Sequence, residues 1–359
     1  MSRHLTAARI ISAKDLFSYI ENVLVAVDVS RHDASVVADC LTYANLSGVD
    51  SHGVVRLGHY VRRLQNGTIK THPLISSEQK SSTVAVVDGD HGLGHVVTWY
   101  ACRQAMRLAS ESGTGVIVIK NSSHFGAAGF YVKRMVSEGY IGISMTSTDA
   151  LLIPFGGRKP FFGTNPIAIG FPTNGDPLIL DMSTTSIPYG KVELAKAEGK
   201  SIPPDWGLDE KGHQTTDPSR VVGLHPIAGP KGSGLAMVID IFCSILSGMP
   251  FGPYINKMYV ELDQPRRLGH FIMAINIEQI IPLDAFKQRL GEMIQELNEI
   301  PPVKGFRKVN YPGQIEGKTR EHRAAEGIPI DPGLYEELVS LGKRFGVPFP
   351  GRSMSTAHP

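Results

Sequence analysis

Cysteine is scarce: Cys40, Cys102 and Cys243 are the three among 359 residues, far apart and with no CxxC pair. A disulfide framework and a cysteine-ligated zinc site are thereby excluded, and a reducing compartment is the default. Net charge is also nearly absent, since 36 Lys and Arg against 34 Asp and Glu leave +2. That balance provides neither a broad basic field for a nucleic-acid backbone nor an acidic tail. No run approaches the ~18 uninterrupted apolar residues of a membrane span. The opening MSRHLTAARIISAKDLF lacks the apolar centre of a signal peptide and meets Lys14 and Asp15 early. The expectation is a cytoplasmic protein with no nucleic-acid and no membrane partner.

The familiar nucleotide signatures are missing too. After the strand expected at Thr83–Val87 comes DGDHGLGHVV, in which Gly92 and Gly94 give GxG. Val97 stands where the third glycine of a dinucleotide fingerprint belongs. GPKGSG at 229–234 opens a helix but is not GxxxxGK[ST].

What is present is a core-forming chain, 42% hydrophobic and 19% charged, which excludes disorder for most of its length. Its 38 glycines and 24 prolines imply many tight turns. The length fits about two domains. Helical spacing marks Leu16, Phe17, Ile20, Val23 and Leu24, and then Val36, Val37, Cys40, Leu41 and Ala44. From about residue 83 strands and helices alternate, with strands at Gly115–Lys120, Ile141–Thr146, Ile167–Phe171, Leu178–Asp181 and Phe271–Ile277. Gly232–Leu246 is apolar nearly all round and reads as a buried helix. Leu283–Ile300 places Phe286, Leu290, Met293, Ile294 and Leu297 on one face. The fold class is α/β (α+β). A discontinuous helical domain is expected from 1–75 plus 310–348, an α/β domain from 76–309, and a flexible tail from 349–359.

Four segments draw chemical attention. Asp50-Ser51-His52-Gly53 precedes Arg56 and Tyr60. His52 can exchange a proton near neutral pH, and Arg56 can grip a carboxylate through two N–H groups. Neighbouring Ser51 and His52 side chains ordinarily diverge, and a solvated surface turn explains the same residues. Asn121-Ser122-Ser123-His124-Phe125-Gly126 lies between an apolar strand and a helix, where α/β sites collect. A helix cap by Ser122 or Ser123 accounts for it equally. Asp181 ends a strand, placed to orient a histidine, cap the next helix or bind a ribose hydroxyl. Lys231 and Gly232 stand at a helix start whose free N–H groups could seat an anion, or merely mark a glycine turn. Phe162-Gly163-Thr164-Asn165-Pro166 reads as a turn alone. Asp88, Asp90, His91 and His95 lack the spacing of a metal site, so no metal is expected.

DSHGVVRL, NSSHFGAAGFY, FGGRKPFFGTNPIAIGFP, LDMSTT, GPKGSGLAMVIDI and LGHFIMAINI follow one another in a single order. Together they resemble the malate/L-lactate dehydrogenase family that is distinct from the Rossmann-fold enzymes of similar name. That family includes ureidoglycolate, sulfolactate and diketogulonate oxidoreductases and cyclic-imine reductases. The resemblance runs from about residue 13 to residue 345. It implies a non-Rossmann NAD(P)-binding fold with a helical part built from both termini. It also implies a homodimer, NAD or NADP as cofactor, and a small 2-hydroxy or 2-oxo acid as substrate. Ser51, His52, His124 and Asp181 match the family's catalytic group, and Arg56 and Tyr60 its substrate contacts. His124, Gly126, Thr148, Asp181, Met182, Ser183, Pro230, Lys231, Gly232 and Gly313 fall on cofactor-contacting segments. Asp149 and Arg266, further substrate-binding candidates, look like the ureidoglycolate branch, as do Met249–Gly252, Met258-Tyr259 and Tyr311–Gln314. His124–Gly129 looks like the malate and lactate members. The implied reaction is reversible hydride transfer at C2 of a ureidoglycolate-like acid, or of malate or lactate, with reduction of a piperidine-2-carboxylate-type imine as the alternative.

Overall fold

The computed structural model describes residues 9–351. Its contacts divide it into two compact units, one from both ends of the chain, up to His72 and from Gln314 on, and one from Pro73 to Gly313. In chain order the first unit opens with β1 (Arg9–Ile11), α1 (Ala13–Ala26), α2 (Arg31–Leu46) and α3 (Leu57–Gln65). The second unit holds β2 (Ser76–Gln79), β3 (Val84–Asp88), α4 (Gly94–Ser112), β4 (Thr114–Ser122), α5 (Ala128–Ser137), β5 (Tyr140–Thr146), β6 (Ile167–Phe171) and β7 (Leu178–Met182). It continues with α6 (Tyr189–Glu198), α7 (Pro230–Asp240), β8 (Leu268–Asn276) and α8 (Leu283–Glu299). The first unit closes with α9 (Gln314–Glu326), β9 (Ile328–Ile330) and α10 (Pro332–Phe345).

In the helical unit, Ser12 and Ser30 cap α1 and α2 by accepting the N–H groups of Asp15 and Asp33. Each helix buries one stripe, Leu16, Tyr19, Ile20, Val23 and Leu24 on α1 and Val37, Cys40, Leu41 and Ala44 on α2. β1 pairs antiparallel with β9, so the two ends of the chain share one ladder. Phe349, where a tail was expected to begin, is buried against Tyr19 and Tyr335. The rest of that tail, 352–359, lies outside the described residues.

The α/β unit is built on a seven-stranded sheet in the order β2-β3-β4-β8-β5-β6-β7. β3 and β4 run parallel, joined by α4, and every other neighbouring pair is antiparallel. One face, carrying Ile117, Ile119, His270 and Ile272, packs under α4 and α5. The other presents Val118, Met145, Ile167 and Phe271 to Ile239 and Cys243. The helix expected over Gly232–Leu246 is α7 followed by a π turn at Ile241–Ile245. It is not buried all round: Met237, Val238, Ile241, Phe242, Ile245 and Leu246 are exposed. On α8 the apolar face is only half covered, and Met293 is exposed. Among the described residues no helix is long and apolar enough to cross a membrane.

Two histidines lie inside the α/β unit, His95 on α4 and His270 on β8, both at 0% exposure. Burial pushes each ring's proton affinity down to about 3. Unfolded histidines take up a proton near 6.5, while these stay neutral in the folded chain until far lower pH. The unfolded state therefore binds more protons as pH falls through 6.5, and folding stability is lost there by up to about 1 kcal/mol per pH unit for each histidine. Urea unfolding midpoints are expected to fall between pH 7 and pH 5, above the main carboxylate range. Midpoints that stay level over that interval would refute this.

Candidate active site

In the helical unit the site is a turn held from three sides. Asp50–His52 and Val54–Arg56 are short 3-10 turns hinged at Gly53. A side chain at Gly53 would collide with the Asn45 amide, whose Oδ1 accepts the Val54 N–H at 2.8 Å. The Asn45 Nδ2 donates to Asp50 Oδ1 at 2.7 Å. From α9, Arg323 grips both carboxylate oxygens of Asp50, at 2.7 and 3.0 Å, and also donates to the Asn45 carbonyl. Ser51 and His52, expected to diverge, converge instead: Ser51 Oγ lies 3.0 Å from His52 Nδ1. The tight turn folds both side chains to one side. Arg56 Nε donates to the Ser51 carbonyl at 2.6 Å. Burial first, and then the Arg56 charge, lower the His52 proton affinity to about 4, so the ring is neutral at pH 7. Tyr60 is fully buried, and burial raises its phenol well above the usual value.

The α/β unit holds the other candidates. The place where a Rossmann sheet would seat a pyrophosphate is closed. Gly94, the first residue of α4, gives its N–H to Ser123 Oγ at 2.8 Å, and that hydroxyl donates to the Gly92 carbonyl at 2.9 Å. A side chain at Gly94 would strike the Ser123 and His124 carbonyls. Ser123 thus caps α4, not the helix that follows it, and the N-cap residue of α5, Ala127, has no polar side chain of its own to cap it. Beyond Ser123 the loop carries His124, whose Nδ1 accepts the Gly126 N–H at 3.3 Å. A backbone N–H can only donate, so in this geometry the neutral ring carries its proton on Nε2.

Asp181 accepts the Gly129 N–H at 2.8 Å. Its carboxylate thereby caps the first turn of α5, earlier in the chain, and not the helix that follows β7. From the end of β7 the hydrogen bonds continue. Thr184 N and Oγ1 both donate to the Thr164 carbonyl at 2.9 Å, and Thr164 N donates to Thr148 Oγ1 at 2.9 Å. Asn165, fully buried with φ at +31°, accepts the Thr148 N–H at 3.1 Å and donates to the Ala236 carbonyl on α7 at 2.9 Å. The segment leaving β7 is therefore tied twice, by Asp181 to α5 and by Thr184 to the set of Thr164, Thr148 and Asn165 that reaches α7. Gly313 is pressed against Ile179 on β7, where the Pro312 carbonyl accepts the Ile179 N–H. Met182 and Ser183 continue directly from Asp181. Gly232 is required by packing, because a side chain there would meet the Ile227 carbonyl, while Lys231 is exposed beside Pro230 in the first helical turn. Arg266, 3% exposed, pairs with Asp149 at 2.6 Å, and its Nε and Nη1 groups are buried without a partner.

Four contributors escaped the sequence reading. Asn45 was detectable as a polar residue on the buried stripe of α2, and Asn165 as a residue in a turn; Arg323 and Gly94 carried no signal that named their partners. Among the described residues no three His, Cys, Asp or Glu side chains are grouped as metal ligands would be.

The family model described as malate/L-lactate dehydrogenase matches residues 11–339. A malate dehydrogenase of Pyrococcus horikoshii is 38% identical over 342 residues, covering 92% of this chain and 94% of that protein. A ureidoglycolate dehydrogenase (NAD(+)) of Escherichia coli K12 is 38% identical over 331 residues, covering 92% and 95%. The solved structure of malate dehydrogenase from Pyrococcus horikoshii OT3 superposes with a TM-score of 0.88 at 35% identity, over 97% of this chain and 99% of that one.

The Asp50–Arg323 grip makes a checkable claim about His52. Histidine-ring NMR of the whole chain is expected to show His52 titrating near 4. In Arg323→Ala the turn loosens and admits water, so the titration should move up toward the ordinary value of about 6.5. An unchanged curve in a folded variant would remove Arg323 from the site.

Proposed function

Because this chain belongs to the malate/L-lactate dehydrogenase family, we propose that it transfers a hydride, reversibly, between a nicotinamide cofactor and C2 of a small 2-hydroxy acid. The observation that carries this reading is that the segment leaving β7 is tied at both ends, by Asp181 to Gly129 on α5 and by Thr184 to a hydrogen-bonded set of Thr164, Thr148 and Asn165 that reaches α7. Thr148 and Asp181, both expected to contact the cofactor, belong to these contacts, which supports the reading.

The residues present fit a dinucleotide in kind. Thr148 and Ser183 offer hydroxyls for ribose and amide groups, Lys231 an exposed cation for phosphate, and Gly126 a backbone at φ +80° without a side chain. Asp181, Met182, Pro230, Gly232 and Gly313 shape the same segments. When bound, the nicotinamide supplies or accepts the hydride. NAD is the first expectation, with NADP as the alternative.

The chain's own work is to hold the acid and move one proton. Arg56 pairs with the substrate carboxylate, with Tyr60 beside it. Its charge is then offset, and one of the two causes that depress the His52 proton affinity is removed. Ser51 orients the His52 ring through Nδ1, leaving Nε2 to take the hydroxyl proton in oxidation and return it in reduction. His124, on the α/β unit and with its proton on Nε2, is the alternative group for the reacting oxygen, and Asp181 steadies the start of α5 behind it.

For the substrate, the Asp149–Arg266 pair favours a ureidoglycolate-like acid. A ureido group, with N–H donors and a carbonyl acceptor, satisfies both partners. A second carboxylate or a sulfonate competes with Asp149 for the same guanidinium. Absorbance at 340 nm is expected to show turnover of ureidoglycolate with NAD exceeding that of malate, lactate and sulfolactate. Asp149→Ala should narrow this preference about tenfold or more. A preference for malate would overturn the substrate assignment, and turnover confined to piperideine-2-carboxylate would assign an imine reductase. Failure to bind NADH would overturn the reaction.

The exposed apolar stripe of α7 and its π turn supports a homodimer. It carries no charge among its six exposed residues, so two copies can cover each other about a twofold axis without burying an unpaired ion. Wild-type protein is expected to sediment as a dimer and Ile241→Asp as a folded monomer. A monomeric wild type, or a dimeric variant, would discard this face as the interface.

A further inference from the structure

LGHFIMAINI takes no part in the reaction as described, yet its histidine occupies the floor beneath the His124 loop. His270 lies on β8 with 0% exposure, between Ile119 on β4 and Thr146 on β5. Its Nδ1 is 2.7 Å from Thr146 Oγ1. Its ring stacks on Phe125, with centroids 4.8 Å apart and planes inclined by 21°. Phe125 is the residue after His124. It is fixed on its other side by Tyr131, whose ring lies 5.1 Å away and whose hydroxyl donates to the Phe125 carbonyl. Thr146 in turn donates to the Ser147 carbonyl at 2.9 Å, immediately before Thr148.

One ring thus touches both the loop that carries His124 and the strand end that carries Thr148. A plain aliphatic core residue would fill the same volume beneath α4, as Ile272 does two residues on. A histidine here costs desolvation and remains neutral. What it adds is a directed hydrogen bond to Thr146, polar contact with the Ser123 and Gly269 backbone, and one flat face.

We propose that His270 is a positioning residue that locks the His124 loop to the end of β5, so that the group holding the substrate oxygen and the cofactor-side segment keep a fixed separation. The inference rests on His124 acting as the reading above assigns. His270 touches no reacting atom. Its effect passes through Phe125 on one side and Thr146 on the other. Hydride transfer is sensitive to such placement, because an error of about 1 Å can cost on the order of a hundredfold. The lock is present in the free chain and sets an alignment that matters most in the transition state, so its loss lowers kcat and leaves KM nearly alone.

The test uses the whole chain, with ureidoglycolate and malate as probes and NAD as cofactor. His270→Phe keeps a ring against Phe125 but loses the Thr146 bond, and His270→Asn keeps a polar atom near Thr146 but loses the stack. Each is expected to lower kcat roughly ten- to hundredfold, with KM within about twofold. Phe125→Leu should match the His270→Asn loss, and the double variant should be no worse than either single one, because both remove the same contact. Without substrate or cofactor, amide exchange at Gly126 and Gly129 should quicken in His270→Asn, while the far-ultraviolet circular dichroism stays that of wild type. Should a His270 variant not fold, Phe125→Leu and Thr146→Val carry the same comparison. Unchanged kcat and unchanged exchange in folded variants would overturn the proposal, as would losses that multiply in the double variant. His124→Ala separates the two levels of the argument. If it retains full turnover, the role given to His124 fails. If it is inactive while the His270 and Phe125 variants are normal, only the positioning role fails.

Discussion

The α/β unit hangs on β8 being hydrogen-bonded along both edges, to β4 on one side and β5 on the other. This strand arrives late in the chain and runs antiparallel to both neighbours. It holds apart two strands that a doubly wound sheet would place side by side in parallel. Only β3 and β4 keep the parallel arrangement with a helix between them. The β8 backbone also leaves no room at Gly269, where a side chain would overlap the Cys243 carbonyl, so the π turn after α7 sits directly on the strand. The bulge between Leu268 and His270 lies at the end of the strand that approaches Ser122 and Thr146. Inserting β8 therefore fixes the spacing of the His124 loop, the Thr148 segment and α7 at once.

That constraint explains why the parallel pair is not a nucleotide seat. In a dinucleotide fold the first turn after a strand leaves helix N–H groups open to phosphate. Here the corresponding turn uses Asp90 and His91 with positive φ to fold back under Asn121, and Ser123 takes the N–H of Gly94. The glycines at 92 and 94 are spent on backbone contact with Pro73 and the Ser123–His124 carbonyls. The missing third glycine is the trace in the sequence of this different use.

Local features of the fold were legible where burial imposes a pattern. GVIVIK is buried on both faces and reads as a central strand, and β6 occupies Ile167–Phe171 as its alternation indicates. The order of strands was not legible. FIMAINI is apolar on both sides, and nothing in it names β4 and β5 as partners. α7 misled because its composition is apolar all round, yet this single chain covers only one of its faces. The site shows the same division. Residue types marked Ser51, His52, His124 and Asp181, but not the contacts that orient them. Asp50 meets Arg323 across 273 residues of sequence, and Gly94 meets Ser123 across 29. Thr164 and Asn165 look like turn residues because they are turn residues; their bonds to Thr148, Thr184 and Ala236 exist only once the sheet has formed.

The two histidines differ in how the fold has set their rings. A serine hydroxyl faces His52 Nδ1, and hydroxyls can accept as well as donate, so that contact is satisfied by either tautomer of the ring. His124 has no such freedom while its Nδ1 accepts the Gly126 N–H, since protonating that nitrogen breaks the bond. The first environment accommodates a proton on either nitrogen, and in the second the neutral ring carries it on Nε2. The nearby charge follows the same logic. Arg56 opposes the His52 cation, so under the proposed reading a carboxylate lying against Arg56 makes the proton easier to hold. Proton affinity is then tied to occupancy by a carboxylate.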